Sequence, residues 1–338
     1  MATARKLPSG NYRVRIYQYT DQSGKKHYKS FTSKTKKEAE RKASIWQTSI
    51  SQSAGQMTMA EAAEAYIDER RPVLSPSTIR GYVTACKQIE PIEAVQVNEI
   101  TQGQIQFFIS SFSKTHAPKT THNVHGFISA IMRRFRPDFS LSTKLPQKSP
   151  DTIYIPSESD IQRLLKGAED DPIMYRALLL AAYGPLRRSE ICAVTSNDLE
   201  GNVLHVHSAI VEDEKGQWHE KLTKTNAGDR YISLPQSVTE AMQGINGKLV
   251  DILPNALQRR FLRLLRDTGV THMRFHSLRH FCASQLHALG MPDAYIMQRG
   301  GWESDGVLKS IYRHALTDYA ASENDRINAA FDAMIKYV

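Results

Sequence analysis

The chain has 338 residues, of which 41% are hydrophobic and 23% charged, a globular composition long enough for two or three domains. No apolar run approaches the roughly 18 residues of a membrane-spanning helix, and the first residues lack the apolar core of a signal peptide. The three cysteines form no C-x-x-C pair, which argues against a disulfide framework or a cysteine zinc site and favours a reducing compartment.

The net charge of +9 lies at one end of the chain. Residues 1–54 hold twelve lysines and arginines against three acidic residues, so this segment carries the whole excess. A compact segment this basic is typical of a polyanion-binding domain. A disordered basic tail is the alternative on charge alone.

The pattern of residues 1–54 predicts a small sheet packed on one helix. In N-Y-R-V-R-I-Y-Q-Y, apolar Val14 and Ile16 alternate with Arg13 and Arg15. A turn at D-Q-S-G, a second strand at K-K-H-Y-K-S-F and a helix capped at Thr35 follow. Such a sheet can lie in a DNA major groove. The bases that we expect to contact DNA are Arg13, Arg15, Lys25, Lys26 and Lys29.

Four helical patterns predict an all-α domain over residues 55–146. They begin at Thr58, at Ser75 before Pro76, at Thr101 and at Pro118. The stretches S-Q-S-A-G-Q (51–56) and L-P-Q-K-S-P (145–150) are interpreted as linkers.

Residues 151–338 are predicted to form a mixed, mainly α domain. Its strands are expected in V-L-H-V-H-S-A-I-V, Q-W-H-E-K-L-T and R-Y-I-S-L-P, as a three-stranded antiparallel sheet. The predicted fold class is therefore multidomain and mainly α with small β-sheets: an α+β unit, an all-α domain and this third domain.

The third region also carries five short motifs in a fixed order. They are Leu186-Arg187-Arg188-Ser189-Glu190, Lys224-Thr225, His276-Ser277-Leu278-Arg279-His280, Gly301-Trp302 and Ile311-Tyr312. Lys224 lies at the tip of a predicted hairpin, and Tyr312 lies ten residues after Trp302.

These motifs resemble those of the tyrosine recombinases, or phage-type integrases, and the resemblance covers the whole chain. It implies an arm-site DNA-binding domain over residues 1–54, a helical core-binding (SAM-like) domain over 55–146, and a catalytic domain with a tail helix over 151–338. Two positions depart from the usual pattern: Pro185 stands where glycine is more frequent, and Trp302 where a second histidine is common.

The resemblance implies a site-specific recombinase that cuts and rejoins DNA through a 3′-phosphotyrosyl bond to Tyr312. Guanidinium groups suit the charge on a transferring phosphate, so Arg187 and Arg279 are expected to bind it. Lys224 is the expected general acid and His276 the acceptor of the tyrosine proton. Trp302 would donate a hydrogen bond to the phosphate. Glu190 would orient Arg187, and His280 would be a packed histidine behind the site.

The resemblance also implies the partners of the enzyme. They are double-stranded DNA at core and arm attachment sites, three further copies of the chain in a tetramer passing through a four-way junction, and an excision factor or host DNA-bending protein as an accessory. No metal, ATP or other cofactor is implied, and the setting is the cytoplasm of a bacterial host. A tail stripe of Ile327, Ala330, Phe331 and Met334 is predicted to dock on the neighbouring protomer; packing on its own domain is the alternative.

Several alternatives remain open on the sequence alone. Arg187 beside Arg188 could be a solvated helix end, and Lys221 or Arg230 could be ordinary surface bases beside Lys224. His276 and His280 could bind zinc, although the glutamate of an H-E-x-x-H motif is absent. At the level of function, the rivals are a type IB topoisomerase and a non-catalytic DNA-binding regulator.

Overall fold

The computed structural model of the chain describes residues 3–20, 26–54, 57–148, 154–223 and 228–303. Its contacts divide the chain into two compact units. The first comprises Met1–Pro150 with Glu212–Gln217, and the second Asp151–Val211 with Trp218–Val338. The further division of the first unit into an arm domain and a core-binding domain stays a prediction.

The first unit opens with the predicted sheet and helix. Strands β1 (Arg5–Lys6), β2 (Tyr12–Thr20) and β3 (Lys26–Ser33) are antiparallel neighbours in that order. Helix α1 spans Lys36–Ala54, and the Glu38 amide donates to Thr35 Oγ1 at 3.3 Å. The prediction of a linker was wrong for residues 51–54, because α1 continues through them.

The four predicted helices of the first unit are confirmed. They are α2 (Met59–Asp68), α3 (Pro76–Gln88), α4 (Gln102–Phe112) and α5 (Pro118–Phe135). Thr58 and Thr101 each accept a hydrogen bond from the third helical amide, and the side chain at that position bonds back to the cap. One apolar face of each helix closes a core that includes Met59, Ile105 and Phe127.

The second unit is mainly helical. The α-helices and β-strands described between residues 158 and 300 are α6 (Glu158–Gly167), α7 (Pro172–Ala182), α8 (Arg188–Ile191), β4 (Leu199–Glu200), β5 (Val203–Val206), β6 (Ser208–Glu212), β7 (Trp218–Leu222), β8 (Arg230–Ser233), α9 (Gln236–Glu240), α10 (Pro254–Thr268), α11 (Ser277–Ala288) and α12 (Asp293–Gly300). Helices α7 and α11 pack together over a core that includes Leu180, Phe261 and Leu278.

The three-stranded antiparallel sheet is present, but its strands differ from those predicted. The segment V-L-H-V-H-S-A-I-V divides at His207 into β5 and β6. Strand β5 pairs with β4 and β8, whereas β6 and β7 form a separate two-stranded sheet. The fold class is nevertheless the predicted one, mainly α with small sheets.

Within the described ranges, no helix combines the length and the apolar character needed to cross a membrane.

Candidate active site

A tight turn after α7 delivers Arg187 to the site. Gly184 is buried there, and a Cβ at this position would lie 2.8 Å from the Leu180 carbonyl oxygen and 2.9 Å from Leu186 Cδ1. Glycine is therefore required by close approach of the backbone. Arg187 then caps the short helix α8, with its side chain 37% exposed.

Glu190 is the node of a buried ion-pair network. It is 1% exposed, and its two carboxylate oxygens accept four hydrogen bonds. Arg187 donates from its backbone amide at 2.8 Å and from Nη1 at 2.6 Å; Arg230 donates from Nη2 at 2.9 Å and from Nη1 at 3.3 Å. Desolvation acts to raise the pKa of Glu190, but Arg230 and then Arg187 hold it below its ordinary value, so Glu190 is ionised.

Arg279 is the most deeply buried cation of the site. It lies in α11, is 1% exposed, and stacks its guanidinium over the Trp302 ring at 4.0 Å. Its Nη1 donates to the Pro185 carbonyl oxygen, whereas Nε and Nη2 are buried and have no partner among the described residues. Desolvation and then the charge of Arg187 lower the pKa of Arg279. Burying a guanidinium whose donors lack hydrogen-bond partners costs free energy, and an anion bound to Nε and Nη2 would offset that cost.

Trp302 is seated by the two glycines before it. A Cβ on Gly300 would overlap the six-membered part of the indole, and Gly301 ends α12 in the left-handed conformation with φ 66°. The Gly301 carbonyl oxygen accepts a hydrogen bond from Arg187 Nη2 at 2.6 Å. The G-G-W stretch therefore contacts both predicted phosphate-binding arginines, through Gly301 and through the indole.

The two histidines of the H-S-L-R-H motif adjoin the arginines. His276 immediately precedes α11, and its ring meets that of His280 edge-on, with centroids 4.8 Å apart. Desolvation, His280 and the charges of Arg279 and Arg187 lower the pKa of His276 to about 3. His276 is exposed, so solvent screens these charges in part, and the lowered pKa leaves its imidazole neutral at physiological pH.

The described residues thus bring together six of the predicted groups: Arg187, Glu190, His276, Arg279, His280 and Trp302. Lys224 and Tyr312 lie outside the described residues, and their roles stay predictions. The two histidines are not joined by further ligands: within the described ranges, no group of three or more His, Cys, Asp or Glu side chains is placed to hold a metal ion.

Arg230 is the residue that sequence reasoning missed. The sequence allows it to be an ordinary surface base, but it is 5% exposed and is the bidentate partner of Glu190. A signal was present, because burial alternates along β8 and Arg230 shares its inward face with Ile232.

The predicted DNA-binding residues of the first sheet lie on two faces. Val14 packs against Ala39 and Ala43 of α1, so Arg13 and Arg15, which alternate with it, lie on the open face. Arg5 pairs with Arg13 across the strands and shares that face, and Arg15 covers the Tyr28 ring at 4.1 Å.

The remaining bases of this group are placed by the register of β2 and β3. Lys26 shares the open face by alternation with Tyr28, whereas Lys29 pairs with Ile16 on the helix-facing side. Lys25 lies outside the described residues.

Comparisons with known proteins agree with this geometry. Residues 157–318 match the family described as Phage integrase family. A protein named tyrosine recombinase XerC-like, from Caldanaerobacter subterraneus, is 23% identical over 95% of this chain and 96% of its own length.

Solved structures show the same fold. The Tn1549 transposon integrase in complex with transposon right end DNA has a TM-score of 0.66 at 17% identity, over 80% of this chain and 100% of that chain. A lambda integrase tetramer bound to a Holliday junction has a TM-score of 0.59 at 16% identity, over 91% and 94%.

The matched domain, in which Arg187 and the buried Arg279 adjoin Glu190 and Trp302, identifies a tyrosine recombinase, an enzyme of site-specific DNA cleavage and rejoining. Residues 157–318 are therefore a phage integrase domain.

Proposed function

We propose that this recombinase is the integrase of a bacterial mobile element and that Tyr312 is its nucleophile. The observation that carries the proposal is the state of Arg279. Its Nε and Nη2 are buried and have no hydrogen-bond partner in the part of the chain that the structure describes, and it lies beside Arg187. The cluster of Arg187, Arg230, Arg279 and Glu190 holds three guanidinium groups against one carboxylate, a positive excess that suits the non-bridging oxygens of a phosphodiester.

The proposed reaction exchanges one phosphate ester for another. The phenolic oxygen of Tyr312 attacks the scissile phosphorus, the bond to the 5′ oxygen breaks, and the 3′ phosphate becomes joined to tyrosine. The phenol gives its proton to His276, and the departing 5′ oxygen takes a proton from Lys224. A 5′-hydroxyl of the partner strand then attacks the phosphotyrosine, so the phosphodiester bond is restored.

The neutral state of His276 supports its role as proton acceptor. Desolvation, and after it the neighbouring positive charges, keep the pKa of the imidazole low before DNA binds, so its acceptor nitrogen is free of an extra proton. A phosphate bound between Arg187 and Arg279 would offset those charges and raise the pKa of His276 as the tyrosine proton arrives. Trp302 is proposed to hold Arg279 by stacking; the predicted hydrogen bond from its indole to the phosphate remains a further expectation.

The proposed partners are DNA, further copies of the chain and accessory proteins. The open face of β1–β3 is proposed to contact arm-site DNA through Arg13, Arg15 and Lys26, and Lys29 is left out because its register places it on the other face. On core DNA, four copies would act on two duplexes in the cytoplasm of the host, with the tail stripe docking between protomers and an excision factor or host DNA-bending protein setting direction.

Trapping of a covalent intermediate tests this function. A core motif would be selected from a random duplex pool with the full-length chain, and duplexes carrying it would be nicked at scanned positions. We expect an adduct that survives denaturing electrophoresis with the wild type and with Tyr319→Phe, the matched control, but not with Tyr312→Phe. Sequence-specific binding without any wild-type adduct would instead establish a non-catalytic regulator.

Plasmid relaxation separates the recombinase from a type IB topoisomerase, which shares the nucleophile and the cations. A recombinase should leave a plasmid without the selected motif supercoiled and should join two duplexes that carry it. Efficient relaxation of the motif-free plasmid without joined products would favour the topoisomerase.

A further inference from the structure

Arg230 is buried, although a strand could equally well begin with an exposed basic residue. It is the first residue of β8, and its side chain is 3% exposed. Burying a guanidinium is costly unless its donors are used, so its contacts show what the burial provides.

Its donors reach three separate parts of the second unit. Nη1 and Nη2 form a bidentate pair with Glu190, at 3.3 and 2.9 Å. Nη1 also donates to the Gly228 carbonyl oxygen at 3.2 Å, and Nε donates to the Arg299 carbonyl oxygen at 3.0 Å.

Each of these parts leads to a group of the proposed reaction. Glu190 holds Arg187 at 2.6 Å. Gly228 lies four residues after Lys224, at the carboxyl end of the segment that contains it. Arg299 lies in the last turn of α12, directly before the glycines that seat Trp302.

We propose that Arg230 is a positioning residue for phosphodiester transfer. It neutralises Glu190, so that the charge of Arg187 stays available to the phosphate. It also joins Gly228, which follows the Lys224 segment, to the end of α12. This inference rests on the proposed function. Without Arg230, the buried carboxylate of Glu190 would be left with Arg187 as its guanidinium partner, and that pair would be electrically neutral.

The test compares single-turnover adduct formation, DNA affinity and thermal midpoint for full-length variants on the nicked core-motif duplex. We expect Arg230→Met to slow adduct formation by about 10- to 100-fold with DNA affinity within about twofold, because a small misplacement of reacting groups costs this much. Arg230→Lys, which keeps the charge but loses the fork, should fall between it and the wild type. Arg176→Met is the matched control, since Arg176 donates to the Leu249 carbonyl oxygen from a partly buried position in α7; it should cleave like the wild type.

A double variant separates positioning from mere support of the fold. If Arg230 neutralises Glu190, Glu190→Gln combined with Arg230→Met should cleave faster than Arg230→Met alone, because the uncompensated carboxylate is gone. A folded Arg230→Gln variant that cleaves at the wild-type rate would overturn the inference. So would a loss in Arg230→Met that matches its loss of thermal midpoint and is not relieved in the double variant. Absence of any adduct in the wild type would refute the proposed function itself, whatever Arg230 does.

Discussion

At the scale of single residues, Gly300 is fixed by the indole that it faces. Any side chain there must displace Trp302, which covers Arg279. We expect Gly300→Ala to lower the free energy of unfolding by about 1–3 kcal/mol through overpacking, and to slow adduct formation. Chemical denaturation and the adduct assay would measure both effects.

Gly126→Ala is the control for that substitution. Gly126 is an exposed position within α5 with no atom within 4 Å of an added Cβ. Alanine there should leave stability unchanged or raise it by about 0.5–1 kcal/mol through helix propensity. If Gly300→Ala behaved like this control, the close packing of the Trp302 indole against Gly300 would be contradicted.

His280 predicts a pH dependence of stability. It is 7% exposed, its Nδ1 has no partner among the described residues, and desolvation and then Arg279 lower its pKa to about 4 from 6.5. The unfolded chain therefore binds a proton that the folded chain resists. The stability that the folded chain gains by keeping His280 neutral is fully present above the unfolded pKa of 6.5 and is lost as the pH falls toward 4.

Between about pH 7.5 and about pH 5, this histidine should cost on the order of 2 kcal/mol of unfolding free energy, at roughly 1.4 kcal/mol per pH unit. Urea titrations over that range would compare the wild type with His280→Phe, which keeps a ring at this position. The variant should lose less stability than the wild type on acidification. Parallel losses in the two proteins would show that His280 titrates normally.

At the scale of elements, local signals were sufficient where capping and periodicity decide structure. Thr58, Ser75 and Thr101 marked the starts of α2, α3 and α4, because cap residues act within one turn. Strand pairing is not local, so the break at His207 and the two-residue strand β4 were missed. In the site, motif residues were found by order, but the burial of Arg230 depends on a carboxylate 40 residues earlier in the chain.

The first sheet gives a prediction at this scale, because its two faces carry different bases. When full-length chain selects duplexes from a random pool, we expect two enriched motifs, one for the arm domain and one for the core. Combined Arg13→Ala and Arg15→Ala should abolish one motif and spare the other, since a lost base-contacting arginine costs about 1–3 kcal/mol. Lys29→Ala, on the helix-facing side of the same sheet, should keep both motifs. Loss of a motif in Lys29→Ala, with both motifs kept in the double arginine variant, would show that DNA binds the helix-facing side of the sheet instead.

At the scale of the whole molecule, charge and chemistry occupy different parts of the chain. Residues 1–54 carry the net charge, and the arginines of the candidate site lie between residues 187 and 279. The sequence predicted the basic segment, Arg187 and Arg279, since these depend on residue type and order, but it did not predict Arg230. The electrostatic state of the site could not be read in advance, because it arises from burial of Arg230, Glu190 and Arg279 by distant segments.

The central claim is that the reacting oxygen belongs to Tyr312, and the chemical identity of the DNA adduct tests it most directly. Trypsin should release Tyr312 in the peptide of residues 310–313 and Tyr319 in that of residues 314–326, because the cleavage sites are Lys309, Arg313 and Arg326. Mass spectrometry of the trapped wild-type adduct after nuclease digestion should find a nucleotide 3′-phosphate on Tyr312. A nucleotide on any other residue, or one joined through its 5′ phosphate, would contradict the account.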